Sequence, residues 1–169
     1  MGLRQILTFP DERLKVRCEP VEELNGEIQE LIDDMAETMY AAPGIGLAAP
    51  QLGEQRRVIV FDVGSRDEPR KPMALINPEI VECEGEIVSE EGCLSVLDYN
   101  SEVKRSSRVC VRGLDREGRS LEIEAEDLFA IVLQHEIDHL DGILFIDRIS
   151  KLKRSLYLKK LKKKEKGEA

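Results

Sequence analysis

The segment that most constrains the fold is an unbroken apolar run, LFAIVL, at residues 128–133. A helix that is apolar on all sides has no face to turn toward water, so it must be buried. We predict a helix from near Ala125 to about Leu140, closed by Gly142. The rest of the chain therefore has to fold around this helix.

The flanking segments predict strands in the middle of the chain and helices near both ends. Apolar residues recur at helical spacing from Leu24 to Met39, which predicts an amphipathic helix from Glu27 to about Tyr40. We predict strands at Arg57–Val63, Met73–Cys83, Val103–Leu114 and Ser120–Glu124, and a basic helix from Ser150 to about Lys164. The last two strands form a hairpin through a turn at 115–118. This order predicts an α+β fold, with largely antiparallel sheets around the buried helix and a C-terminal helix.

Charge is divided unevenly between two parts of the chain. A length of 169 residues is typical of one domain, and we assign residues 1–150 to that domain and 151–169 to a basic tail. The tail carries nine Lys and Arg against two Glu, a net +7. The other residues carry 16 basic and 32 acidic side chains, a net −16. A body this acidic repels nucleic acid, so we expect no specific DNA partner, whereas the tail attracts nucleic acid.

The sequence shows no signal for export or membrane insertion. It begins MGLRQI, without an apolar signal core, and no apolar run reaches the roughly 18 residues that a membrane helix needs. The four cysteines, Cys18, Cys83, Cys93 and Cys110, form no C-x-x-C pair, which here indicates reduced thiols. We therefore expect a cytoplasmic protein with no membrane partner.

The predicted buried helix ends in the pattern H-E-x-x-H. His135 and His139 are four residues apart, so both project from one face of the helix and can bind one metal ion. Glu136 is placed to act as general base toward a water molecule on that metal, as in zinc hydrolases. The alternative is a charged surface helix with two solvated histidines. The buried context, and the fact that the chain has only these two histidines, favour the metal site.

Few candidates exist for a third metal ligand. The metzincin pattern needs a histidine at position 145, where this chain has Phe145, and the glutamates beyond His139 lie in the Lys-rich tail. Asp141 and Asp147 stay open as ligands, although neither has favourable spacing for the same metal face. The best remaining candidate is a cysteine thiolate from upstream.

Among the cysteines, Cys93 stands out because the preceding Gly92 allows a close approach of the backbone. Cys83 and Cys110 lie in predicted strands, where we expect buried structural thiols. Cys18 precedes a loop and belongs to no metal-binding pattern.

Three segments in order, GIGLAAPQ at 44–51, EGCLS at 91–95 and QHEIDH at 134–139, resemble the motifs of the bacterial polypeptide deformylase family. The resemblance covers about residues 3–150. It implies hydrolytic removal of the N-formyl group from the formyl-methionine of new polypeptides, with release of formate. It also implies a single divalent metal ion held by Cys93, His135 and His139, Fe²⁺ in the cell and often Zn²⁺ or Ni²⁺ after purification.

The same resemblance implies roles for other motif residues. Glu136 is the general base and then the acid, and the Gln51 side chain and the Leu94 backbone N–H stabilise the developing oxyanion. The implied and predicted substrate-binding residues are Ile45, Gly46, Glu91, Gly92, Leu128, Ile131 and Val132. The backbone of Ile45 and Gly46 is expected to pair with an extended peptide.

Helical spacing before His135 places Leu128, Ile131 and Val132 on one face, where they and Ile45 would form an apolar slot for the methionine side chain. The alternative is that the three helical residues belong to the ordinary core. A dinucleotide-binding interpretation of the glycine-rich segment 44–49 fails, because the segment follows a helix and precedes a strand.

Leu97 departs from the proline common in the family at this place, which puts the peptide preference in question. The basic tail is expected either to dock on the acidic body or to bind ribosomal RNA near emerging chains. Two rival functions are an H-E-x-x-H peptidase and a non-catalytic ribosome- or RNA-binding module with a structural metal. The missing third histidine argues against the former and the intact Glu136 against the latter.

Overall fold

A computed structural model describes residues 2–167. Residue 1 of the predicted domain and residues 168–169 of the predicted tail lie outside this range. The helices are α1 (Gly26–Ala41), α2 (Asp127–Leu140) and α3 (Lys151–Glu165). The strands are β1 (Gly46–Ala48), β2 (Val58–Phe61), β3 (Met73–Glu84), β4 (Ile87–Cys93), β5 (Val96–Arg105), β6 (Arg108–Leu114) and β7 (Ser120–Glu126). None of the helices formed by residues 2–167 has the length and hydropathy of a membrane-spanning segment.

Two antiparallel sheets form the β structure. The larger sheet has the order β1-β2-β3-β6-β7, and β4 pairs with β5 in a separate two-stranded sheet. All the strand pairings in both sheets are antiparallel. The predicted α+β class, with antiparallel sheets around a buried helix, is therefore confirmed.

Strand β2 shows how the large sheet carries a helix on each face. Successive strand residues point to opposite sides, and Ile59 and Phe61 pack into the same core as Leu133 of α2. Val58 and Val60 pack instead into the core that contains the buried stripe of α1. All four β2 side chains are buried, as expected of a strand covered on both faces.

The prediction of a single strand over Val103–Leu114 is wrong, because the chain leaves one sheet and enters the other at 106–107. Gln134 of α2 accepts the Ser106 N–H at 3.0 Å and donates to the Ser106 carbonyl at 2.8 Å. The hydrogen bonds that a strand residue would make with a neighbouring strand are thus made by a helix side chain.

Two other expectations differ from the structure. The sequence pattern did not indicate β4, and it placed the start of α2 two residues early, within β7.

The C-terminal helix α3 packs on the body. Ser150 caps it by accepting the N–H of Lys153, and Tyr157 is buried in a third core cluster. The Tyr157 ring lies 4.6 Å from that of Tyr99. Leu152 and Leu156 are exposed because the helix turns its Tyr157 side inward.

Candidate metal centre and active site

Helix α2 and the end of β4 bring together the three side chains that were predicted to bind a metal ion. His135 and His139 lie one turn apart on α2, with ring centroids separated by 5.1 Å. Cys93 ends β4, and its Sγ lies 3.4 Å from Nε2 of His139. Ligand atoms of these three residues all lie within 4.8 Å of one another, the one such group found between residues 2 and 167. Two imidazoles and a thiolate suit a divalent transition metal and leave a fourth position open.

A hydrogen bond fixes the orientation of the His135 ring. Nδ1 of His135 donates to Oε1 of Glu91 at 2.9 Å, which leaves Nε2 for a metal ion. Burial alone would raise the pKa of Glu91, but hydrogen bonds from Arg105 and His135 lower it to about 2. Glu91 is therefore ionised at neutral pH. An ionised Glu91 can accept the Nδ1 proton of a neutral His135, whose Nε2 is then available to a metal ion.

Glu136 lies beside the metal-binding residues with one carboxylate oxygen free. It is buried, and its Oε1 has no hydrogen-bond partner in the described part of the chain. Burial raises the pKa of Glu136 to about 7. A carboxyl group with such a pKa can both accept and return a proton near neutral pH. Gly46 of β1 leaves the space for it, since a Cβ there would lie 2.6 Å from Glu136 Oε2.

Gln51 and Leu94, the two residues predicted to stabilise the oxyanion, both line one cavity. Gln51 lies in the short 3-10 turn after β1, where its Oε1 accepts the Ala48 N–H at 2.9 Å. Its Nε2 donates to Ser95 Oγ at 3.0 Å and lies 3.7 Å from Cys93 Sγ. Leu94 follows Cys93 in the turn between β4 and β5 and also lines the cavity. Both residues are thus positioned next to the metal-binding thiol.

The cavity has a volume of about 430 Å³ and opens beside Glu136. The predicted substrate-binding residues all line it: Ile45, Gly46, Glu91, Gly92, Leu128, Ile131 and Val132. Ile131 and Val132 are buried, whereas Leu128 is exposed at the mouth. Val132 also packs in the main core, so this residue is both part of the core and part of the cavity lining. Glu91 lines the cavity, but its carboxylate is hydrogen-bonded to Arg105 and to the candidate metal ligand His135.

No sequence pattern indicated Arg105 or Arg148, which lie around the candidate metal centre. Arg105 donates to both Glu91 and Asp138, and Arg148 donates to Asp138. Asp138, between the two motif histidines, was the one local signal for this network. The expectation that Cys83 is buried is wrong: it lies in the second half of β3, where no side chain is buried, and it is exposed. Cys110 is buried as expected.

Comparisons with known proteins agree with this geometry. The family model described as polypeptide deformylase matches residues 3–155. The chain is 56% identical to a peptide deformylase of Thermodesulfovibrio yellowstonii over 165 residues, covering 98% of this chain and 100% of the relative. A second relative, a peptide deformylase of Desulfosudis oleivorans, is 52% identical and is covered over 95% of its length by 97% of this chain.

Solved structures give the same result. The structure of peptide deformylase from Ehrlichia chaffeensis in complex with actinonin superimposes with a TM-score of 0.90 at 42% identity, covering 98% of this chain and 99% of that one. A peptide deformylase from Legionella pneumophila superimposes with a TM-score of 0.88 at 47% identity, covering 97% and 96%. With a family match over most of its length and relatives above 50% identity, this chain belongs to the polypeptide deformylase family.

Proposed function

We propose that this protein removes the N-formyl group from the formyl-methionine of newly synthesised polypeptides and releases formate. The observation that carries the proposal is the convergence of three metal-binding side chains, Cys93, His135 and His139, beside Glu136 in a mostly apolar cavity. The names of the relatives support the same reaction. We assign catalysis to residues 1–150.

The donor set fits one divalent ion, which we propose to be Fe²⁺, with Zn²⁺ or Ni²⁺ able to replace it. When bound, such an ion supplies Lewis acidity toward water and toward a carbonyl oxygen. His135, held by Glu91, and His139 would bind it through imidazole nitrogen, and Cys93 through its thiolate.

Glu136 would carry the proton in the reaction. Its free Oε1 accepts a proton from the attacking water, and the same carboxyl then returns a proton to the departing amine. The Gln51 side-chain amide and the Leu94 backbone N–H would donate to the carbonyl oxygen as it gains charge. Loss of one such donor typically slows a reaction by about 10²–10³-fold.

The cavity would receive the methionine side chain between two unpaired strand edges. Among the described strands, β1 pairs with β2 alone and β4 with β5 alone, so each has one open edge. Gly46 of β1 and Gly92 of β4 both line the cavity. An extended peptide could therefore add its backbone to these edges while its first side chain enters the apolar cavity.

The reaction is tested by measuring formate release from three short peptides: formyl-Met, formyl-Asp and unformylated Met. We expect turnover of the formyl-Met peptide. Turnover of the formyl-Asp peptide should be far lower, because the aspartate carboxylate would lose its hydration on entering an apolar cavity that offers it no partner. The unformylated peptide gives the background. Equal turnover of the Met and Asp peptides would contradict the assigned cavity, and no formate from any of them would contradict the reaction.

We further propose that the basic tail, 151–169, attracts the protein to the ribosome, and that the protein acts in the cytoplasm where new chains emerge. Most of the α3 lysines are exposed, which leaves them free to approach phosphate groups. The full chain with Lys159, Lys160, Lys162 and Lys163 replaced by Gln should bind purified ribosomes more weakly than the unaltered chain, and the difference should shrink as salt rises. Equal binding by the two chains would refute this role.

A further inference from the structure

Four charged side chains form a continuous series of hydrogen bonds from His135 to the protein surface. Glu91 accepts from His135 at 2.9 Å and from Arg105 at 2.6 and 2.8 Å. Arg105 also donates through Nη1 to Asp138 at 2.8 Å. Arg148 then donates to both oxygens of Asp138, at 2.5 and 2.7 Å. The charges alternate along the series, and Arg148 is its outer end.

Burial makes the balance of these charges important. The side chains of Glu91 and Arg105 are 5% and 3% exposed, and that of Asp138 is 11% exposed. Two buried carboxylates thus share one buried guanidinium, and without Arg148 both would compete for it. A buried charge that loses its partner is strongly unfavourable, so the group that neutralises Asp138 affects every bond closer to His135.

We propose that Arg148 is a positioning residue for the metal centre: by neutralising Asp138 it keeps Arg105 bonded to Glu91, and thereby keeps His135 oriented toward the metal ion. Partners of metal-binding histidines control how firmly the metal is held. The inference rests on the metal site of the proposed function but is independent of the formyl substrate.

Arg148 acts from outside the substrate cavity. It lines a separate cavity of about 300 Å³, together with Lys104, Ser106 and Gln134. Its side chain is 43% exposed there, whereas Arg105 is enclosed. Arg148 is therefore absent from the surface that a peptide would touch, and its effect has to pass through Asp138 and Arg105.

The first test compares metal retention in Arg148→Ala and the unaltered protein, both loaded with Zn²⁺ and mixed with excess chelator. Loss of a direct partner of a metal ligand typically costs about 10–100-fold in metal affinity, and for this more distant residue we expect metal release to be about 3–10-fold faster. Arg154→Ala is the matched control. Arg154 is 37% exposed and pairs with Asp147, whose carboxylate is bonded to Lys15 and the Leu144 N–H and to no member of the series. Unchanged metal release in Arg148→Ala would overturn the inference.

The second test separates positioning from a general loss of structure. Because Arg148 faces an open cavity, its removal leaves space for a free guanidinium ion next to Asp138. We expect guanidinium chloride at about 20 mM, far below unfolding concentrations, to restore slow metal release in Arg148→Ala, and sodium chloride to have no such effect. Fast release that guanidinium does not correct would also overturn the inference. Neither measurement depends on turnover, so failure here is distinguishable from failure of the proposed reaction.

Discussion

Replacing Glu91 by Gln should destabilise the protein strongly while changing its shape little. Glu91 is buried and bonded to two nitrogens of Arg105 and to Nδ1 of His135. Its pKa falls from the ordinary 4.5 to about 2, because hydrogen bonds from Arg105 outweigh the effect of burial. A difference of this size corresponds to about 3 kcal/mol of folding free energy. Removal of one partner of a buried ion pair typically costs about 3–5 kcal/mol, in agreement.

The sign of the pH dependence follows from the direction of the shift. Since the pKa of Glu91 is lower in the folded than in the unfolded protein, its stabilising contribution is complete above about pH 4.5. The contribution is lost as the pH falls toward 2. The difference in stability between the unaltered protein and Glu91→Gln should therefore be largest at pH 7 and smaller at pH 3.

Urea unfolding of the metal-free proteins at pH 7 and pH 3 measures this difference. Metal is removed because an ion that binds the folded state adds its own stabilisation. Glu90→Gln is the control, since Glu90 is the exposed neighbour on the same strand. Equal stability of the Glu90 and Glu91 variants at pH 7, or a difference that is the same at both pH values, would show that the ionised Glu91 carboxylate does not stabilise the fold.

Two further substitutions test the site and the C-terminal helix. Gly46→Ala places a Cβ 2.6 Å from Glu136 Oε2, and because a displacement of about 1 Å can cost about 10²-fold in rate, kcat for formate release should fall by that order. Gly26→Ala, where the Cβ meets open space, should leave kcat unchanged, and equal values for both would contradict the assigned crowding. Tyr157→Ala should lower the free energy of unfolding by about 3–5 kcal/mol, as loss of a buried ring does. Exposed Leu156→Ala should change it by less than about 0.5 kcal/mol, and similar losses in both would show that α3 does not pack through Tyr157.

Parts of the fold with strong local patterns could be predicted from the sequence. The apolar run at 128–133 indicated the buried helix, and the turn at 115–118 indicated the β6–β7 hairpin. Strand β4 lacked such a pattern because the two-stranded sheet leaves many of its side chains exposed. The break between β5 and β6 depends on Gln134, a residue 28 positions further along the chain.

The candidate site also has residues that could be predicted from the sequence and residues that could not. Spacing within one helix turn predicted His135, His139 and Glu136 as a unit. Cys93 was only the best candidate among four cysteines until the wider motif resemblance assigned it as a ligand. Arg105 and Arg148 escaped detection because their bonds join residues between 10 and 33 positions apart. Single charged residues on a strand or in a turn look the same in sequence whether they face water or a buried carboxylate.

In the proposed reaction, Glu136 moves the proton during hydrolysis of the formyl group while Cys93, His135 and His139 hold the metal. The most direct measurement is anaerobic formate release from a formyl-Met peptide by Fe²⁺-loaded protein and by Glu136→Ala, with metal content determined for both. We expect equal metal content and a loss of turnover by at least about 10²-fold in the variant. Retained turnover in Glu136→Ala, or no formate from the fully loaded unaltered protein, would contradict the proposed reaction.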